Sequence, residues 1–399
     1  VGLPDRLRLN VSLESADPVS PVRLIPGDDA KEPADGIALC LSGGGYRAML
    51  FHLGAVWRLN DLGLLPSIDR VSSVSGGSIT AAVLATRWKS LEFTDGVAQN
   101  FRAAVVEPTL SMARHTIDLP SVIRGLLTPG RSIADAAAAA YDRHLLEGAT
   151  LQDLPDRPRF VFNAANLQSG VLFRFSKPYV WDYRVGEIER PTVKVSVAVA
   201  ASAGFPPFLS PITLRFDPGA FVAGSGTDLE RDGFRRRVRL ADGGVYDNLG
   251  LETAWKRYRT VLVSDGGGKM GPQANPHLDW PRQTYRVLDM IDNQVRSLRK
   301  RQVIASFQRP DTDRDHRKGA YWGIRSDIEN YPAPGALECS PKSVDPLAHT
   351  ATRLARLPDE HQKGLTNWGY AICDAAVRAH VDRSLAPPSA FPFPEVPLS

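Results

Sequence analysis

Three short stretches carry residue types suited to acyl-transfer chemistry. The first is Ser42-Gly43-Gly44-Gly45-Tyr46-Arg47. Consecutive glycines let backbone N–H groups converge on one point with no side chain in the way. Set before a helix N-terminus, such groups suit a developing negative charge. The second is Ser73-Val74-Ser75-Gly76-Gly77-Ser78. Here Ser75 falls on a strand-to-helix turn of the kind that pushes a serine clear of a sheet, in the pattern G-x-S-x-G. Ser73 stands at the first glycine of that pattern. The third is Ala241-Asp242-Gly243-Gly244, where Asp242 ends a short strand and two glycines permit close approach of another loop. A serine hydroxyl is a weak acid and needs a base, which a carboxylate can supply.

Each stretch has rival readings. Gly43-x-Gly45-x-x-Ala48 also fits the dinucleotide fingerprint G-x-G-x-x-G/A. That reading expects an acidic residue at the end of the next strand. The chain has Ser73-Val74-Ser75 there, and Asp69 lies at the strand's start. A plain βα turn with Ser75 as an N-cap is the third reading. Asp265-Gly266-Gly267-Gly268 repeats the Asp-Gly-Gly signal and makes Asp265 a rival base. Asp247 and Asn248 read as caps of the helix after them. A Ser…Asp…His order would draw on His349, His361 or His380, none of which has a recognisable loop setting. His52 reads as packed within the first helix.

The elements that must hold these stretches can be read from periodicity. Ile37-Ala38-Leu39-Cys40-Leu41 is an apolar run fit for a buried strand, and Met49, Leu50, Leu53, Val56 and Trp57 recur at helical spacing after it. A second strand near Arg70 to Val74 runs into the serine turn, and a helix opens at once from Ile79 to Trp88. Strand, glycine loop, helix, strand, serine turn, helix is an α/β pattern. Its two loops would lie side by side at the carboxyl edge of a parallel sheet. Farther on, Arg159 to Asn163, Val171 to Ser176, Thr213 to Phe216, Arg237 to Leu240, Thr260 to Ser264 and Tyr321 to Arg325 read as strands. Val193 to Ala201, Trp280 to Phe307 and His361 to Asp382 read as helices, and Leu337 to Thr350 as a loop.

At this point the chain resembles the patatin-like phospholipases. The resemblance rests on Gly43-Gly44-Gly45-Tyr46-Arg47, Ser75-Gly76-Gly77 and Asp242-Gly243-Gly244 in order. It is supported by Ala200-Ala201-Ser202-Ala203-Gly204-Phe205-Pro206 and by Asn163-Ala164-Ala165-Asn166 through Gly170. It covers roughly Gly36 to Gly268, and Ser73 is the one departure in the core motifs. The resemblance implies a three-layer α/β/α sandwich with a mostly parallel central sheet. It implies a lipid acyl hydrolase working through a Ser–Asp dyad without metal or cofactor. In that reading Ser75 is the nucleophile and Asp242 the base. Gly43, Gly44, Gly45 and Gly76 supply the oxyanion hole, and Arg47 shapes the loop.

Composition agrees with such an enzyme. The chain has 399 residues, 43% hydrophobic and 23% charged, an ordinary globular balance. Its net charge of +4 is too small at this length to argue for nucleic acid, though a basic face would favour transient contact with anionic lipid. No apolar run reaches the roughly 18 residues needed to span a bilayer. Cys40, Cys339 and Cys373 form neither a disulfide framework nor a metal spacing. A cytoplasmic protein, peripheral at membranes, is the expectation; a removed signal segment is also compatible, because the sequence opens on Val1. The organisation expected is an extended arm over residues 1–35, a catalytic domain over 36–385 and a tail over 386–399. Residues 89–158 form a helical insertion, read equally as a lid or as a plain layer on the sheet. Other functions compatible with these residues are a Ser-His-Asp hydrolase, a transacylase, a dinucleotide-dependent oxidoreductase and a non-enzymatic lipid-surface binder.

Overall fold

The computed structural model describes residues 32–117, 133–206 and 209–399, all but Glu32 within the unit Pro33–Ser399. The strand β1 (Ala34–Leu41) sets the layering. Successive side chains on a strand point to opposite faces. Leu39 and Leu41 therefore join the larger apolar core, while Ala38 and Cys40 pack with Leu249, Leu251 and Val303 on the other side. Both faces of β1 are covered, as its unbroken apolar run predicts.

Among the described residues ten strands make one sheet in the order β12-β11-β1-β2-β5-β6-β7-β8, with β10 also paired to β5 and β9 to β10. The five strands from the β12 edge inward are parallel: β12 (Lys318–Gly323), β11 (Tyr258–Asp265), β1, β2 (Ile68–Ser73) and β5 (Arg159–Asn166). An antiparallel wing follows, made of β6 (Val171–Phe175), β7 (Tyr179–Asp182), β8 (Gly186–Glu189), β9 (Ile212–Arg215) and β10 (Arg237–Asp242). The remaining two strands, β3 (Phe93–Thr94) and β4 (Val97–Ala98), form a separate hairpin.

One face of the sheet carries α1 (Gly45–Asp61) and α2 (Gly76–Arg87), then α3 (Glu107–Ala113), α4 (Ile133–Tyr141) and α5 (Val195–Ser202). The opposite face carries the C-terminal part of α6 (Trp280–Phe307), whose Val303 is fully buried. Two later helices are α7 (Pro341–Ala348) and α8 (Asp359–His380). α8 packs along α1, so closely that a Cβ on Gly54 would lie 1.9 Å from the Thr366 carbonyl oxygen. The result is the mixed three-layer α/β fold expected from the sequence.

Three readings shift. The stretch read as a loop, Leu337 to Thr350, contains α7; Ser340 caps it by accepting from the Ser343 N–H, and Pro341 opens it. The last strand sits three residues earlier than the expected start, because Gly319, with little side-chain signal, is paired with Val261 inside the sheet. The arm's last residues, Ala34 and Asp35, already belong to β1, while residues 1–31 lie outside the described residues. Of the insertion over 89–158, the described helices contribute Val105, Val106, Leu110, Met112, Tyr141 and Leu145 to the main core. Residues 118–132 lie outside the described residues.

Candidate active site

Parallel pairing brings the loops together. Leu41 is in register with Ser73 on one side and Ser264 on the other. The glycine run, the serine turn and the 265–268 loop therefore leave the same carboxyl edge. β10 reaches that edge from the antiparallel wing, with its last residue, Asp242, opposite Ala164.

Ser75 is held in a strained turn, with φ 51 and ψ −120, a region costing a non-glycine residue on the order of 1–3 kcal/mol. The surroundings enforce it. Ser75 N–H donates to the Ser202 carbonyl at 3.2 Å and to the Ser202 hydroxyl at 3.1 Å. That same carbonyl accepts the Gly243 N–H at 3.2 Å. One residue at the end of α5 thus fixes both the serine turn and the loop after Asp242. The Ser202 hydroxyl donates to the Asn163 carbonyl at 2.7 Å and lies 2.8 Å from that of Ser78. Asn163 Nδ2 donates to the Ser73 carbonyl at 2.9 Å. Ser73, the departure from the usual pattern, is accommodated: its hydroxyl accepts from Ser78 at 3.0 Å and donates to the Val161 carbonyl at 3.3 Å.

The glycine run lies against this turn. A Cβ on Gly76 would sit 2.1 Å from the Gly45 carbonyl oxygen, and one on Gly43 would sit 3.1 Å from Ser75 Cβ. Side chains at either place would push the loops apart. Gly43 N–H is already used, donating to both the Asn248 carbonyl and Asn248 Oδ1 at 3.0 Å. The N–H groups of Gly44, Gly45 and Gly76 donate to no acceptor among the described residues.

Asp242 is 1% exposed. Its Oδ1 accepts the Gly244 N–H at 2.7 Å, while Oδ2 is buried without a well-formed hydrogen bond. Burial pushes its pKa up to about 7; the Gly244 N–H and the nearby Ser75 hydroxyl hold it down, and Asp292 adds to the rise. The serine is thus near enough to act on the carboxyl, although no hydrogen bond of good geometry yet joins them. Such contacts are often loose before substrate binds.

Asp265, the rival base, has a different setting. Tyr321 donates its hydroxyl to Oδ2 at 2.7 Å, Gly267 N–H donates to Oδ1 at 2.9 Å, and Arg296 stands 3.7 Å away. Burial alone would raise this carboxyl, but Arg296, Tyr321 and Gly267 hold it below the ordinary range. Arg47 lies beneath the glycine run, with Nε donating to the Gly266 carbonyl at 3.0 Å and Nη1 to the Thr350 carbonyl at 2.5 Å. Burial, with Arg296 and Arg325, lowers it to about 10.

The histidines lie elsewhere in the contact network. His52 bridges Ser264 Oγ and the Ser42 carbonyl at 2.8 and 2.9 Å, and burial lowers it to about 4, so it stays neutral. His349 faces the Asp345 carbonyl, His361 the Thr350 hydroxyl and His380 the Tyr331 ring. Asp247 is the expected cap, accepting the Leu249 and Glu252 N–H groups. Asn248 does not cap the helix after it: it binds Gly43, and its Nδ2 approaches Asp292 at 3.4 and 3.5 Å. Among the described residues no cluster of histidine, cysteine, aspartate or glutamate is placed to hold a metal ion.

Comparison with known proteins bears on this arrangement. No curated protein matches the chain. Among solved structures, human GIVD cytosolic phospholipase A2 superposes with a TM-score of 0.52 at 12% identity, covering 88% of this chain and 62% of that one. The chain thus spans under two thirds of the human protein. VipD from Legionella pneumophila aligns over 87% of this chain and 67% of its own at 14% identity, with a TM-score of 0.34. The first likeness concerns the fold alone. The sequence model of the family described as Patatin-like phospholipase matches residues 39–255, more than half of the chain and every loop described above from the glycine run to Asp242. By that match, this chain belongs to the patatin-like phospholipase family.

Proposed function

We propose that this protein is a serine acyl hydrolase that cleaves carboxylic ester bonds of lipids, of phospholipase A or esterase type, through Ser75 and Asp242. The observation that carries the reading is one contact. A serine on a strained turn lies beside a buried carboxyl whose pKa is about 7. A base works best with a pKa near the operating pH. Asp265, held as an anion by Arg296 and Tyr321, is a poorer acceptor.

In the acylation step Asp242 takes the Ser75 proton as Oγ attacks the ester carbonyl carbon. The carbonyl electron pair moves onto its oxygen, where the N–H groups of Gly44, Gly45 and Gly76 receive it. Gly43 supports the loop through Asn248, its own N–H being occupied. Arg47 keeps the loop in place from below. Collapse of the intermediate expels the alcohol, which takes the proton back from Asp242, and leaves Ser75 acylated. Water then attacks the acyl carbon and gives a proton to Asp242; collapse breaks the bond to Ser75 Oγ, which takes that proton back as the fatty acid leaves, and an alcohol in place of water would make the reaction a transacylation.

The separate contacts of His349, His361 and His380 speak against a histidine triad. The close packing of Gly45 over Gly76 speaks against a dinucleotide pyrophosphate in the same loop. No helix among the described residues is long and apolar enough to cross a membrane. The test is a panel of soluble acyl esters and phospholipids, with Ser75→Ala as control. Hydrolysis that survives in the folded variant would remove Ser75 from the mechanism.

A further inference from the structure

α6 is longer than the sheet can cover. Its C-terminal part lies on the sheet through Val303. Arg296 stands at Asp265, the end of β11, and Asp292 faces Asn248 beside the glycine run. From Asp292 back to Trp280 the helix runs about 18 Å at the usual rise per residue. That half carries almost no buried side chain.

What it exposes is apolar. Trp280 is 78% exposed, Ile291 54% and Met290 55%, with Val287 and Leu298 also open. Trp280, Val287, Ile291 and Leu298 fall on one stripe at helical spacing, and the buried Arg296 and Val303 lie on the opposite side of the helix. Leu278, just before the helix, is 91% exposed. An apolar stripe turned away from the body of a protein marks an interaction surface.

Charge and position select the partner. α6 has six basic residues against two acidic ones. Arg286 and Arg301 lie to one flank of the stripe, while Lys300 turns to the opposite side and stands over the Tyr321 ring. A tryptophan-led apolar face beside arginines fits the headgroup boundary of an anionic bilayer. The helix rises from the edge that holds Ser75, and the Gly244–Asp247 turn packs beside it with Val245 half exposed.

We propose that the projecting half of α6, led by Trp280, Val287 and Ile291, is the surface by which this protein docks on an anionic lipid bilayer and brings the Ser75 edge to it. The proposal rests on the reading that the substrate is a lipid ester. Through Asp292 and Asn248 the docked helix touches the loop that contains Gly43.

The full chain is tested against phosphatidylcholine vesicles with and without phosphatidylglycerol, by flotation and by Trp280 quenching with brominated lipid. Binding should be at least tenfold stronger with phosphatidylglycerol. Ile291→Asp and Arg286→Glu/Arg301→Glu should each weaken it at least tenfold, lower hydrolysis of vesicle lipid in step and leave turnover of a dissolved short-chain ester unchanged. Vesicle binding unchanged by Ile291→Asp overturns the proposal, as does an equal loss on the dissolved ester. Light scattering that gives a dimer broken by Ile291→Asp also overturns it, because the stripe then covers a second copy. Docking without hydrolysis of any ester would instead refute the function proposed for Ser75 and leave the docking surface standing.

Discussion

With Asp242 as the proposed base, activity and stability should depend on pH in opposite directions. The Asp242 pKa in the folded protein is about 7, raised from 3.8 mainly by burial. The sign follows from linkage. Between pH 4 and 7 the folded state binds this proton more tightly than the unfolded chain, so stability falls as pH rises through that window. From pH 5.5 to 8 the two pKa values give a loss of about 2 kcal/mol from this residue alone. Asp242→Asn keeps the shape without the charge, so its stability relative to wild type should improve by about 2 kcal/mol over the same interval. In the proposed mechanism activity needs the unprotonated carboxylate. For a dissolved ester, kcat/KM should therefore fall about tenfold per pH unit below about pH 7, and Asp242→Asn should be inactive throughout. A limb near 7 resembles that of a histidine, so position cannot identify the base. Temperature can: a carboxylate ionises with little heat, an imidazole with much more. The measurement is urea unfolding of both proteins at pH 5.5 and 8, with the rate profile at two temperatures. A stability difference independent of pH, or a limb that moves with temperature as an imidazole's does, would refute the assignment.

Ser75→Ala should remove ester hydrolysis by several orders of magnitude while thermal melts stay near wild type, and only the wild type should be labelled by a fluorophosphonate. Asp265→Asn should unfold more readily, because it leaves Arg296 buried without its partner; turnover per folded molecule should stay within about tenfold, and a complete loss would move the base to Asp265. Single alanine variants at His349, His361 and His380 should likewise keep turnover within about tenfold; a folded variant down about a thousandfold would make a histidine catalytic. Asn248→Ala removes the Oδ1 acceptor of the Gly43 N–H, leaves it only the backbone carbonyl and loosens the glycine run, so kcat for the dissolved ester should drop at least tenfold with KM little changed, and an unchanged kcat would deny the Asn248 side chain any positioning role.

Much of this arrangement was readable where one residue's chemistry speaks for itself. Ser75 and the glycines around it carry their backbone demands in their own identities, since only glycine tolerates the approach of Gly45 to Gly76. The strand-loop-helix order around them follows from apolar periodicity. As local patterns Asp242 and Asp265 are alike, each a strand end followed by glycines, and only the family resemblance favoured Asp242. What separates them is distant in the chain: Arg296 and Tyr321 close on Asp265, and among the described residues no basic group closes on Asp242. Asn248 was read as a local cap because asparagine usually serves its own helix, whereas its partner Gly43 lies 205 positions away. α7 was missed because its proline and serines, read as loop formers, serve as its first residue and cap.

Ser202 shows how such distant contacts build a site. Nothing about a serine at the end of a buried, alanine-rich helix announces a role, and only the resemblance of Ala200 to Pro206 pointed there. Yet its carbonyl accepts N–H groups from both Ser75 and Gly243. The serine turn belongs to the parallel half of the sheet and Asp242 to the antiparallel wing, so no single strand pair fixes their separation. α5 crosses from one to the other and ends on the residue that binds both. The strain at Ser75 is sustained by the same contacts, because relaxing its backbone would surrender the two hydrogen bonds to Ser202. The turn geometry at Ser75 and the placing of Asp242 beside it are therefore one property of the fold, set at the end of α5.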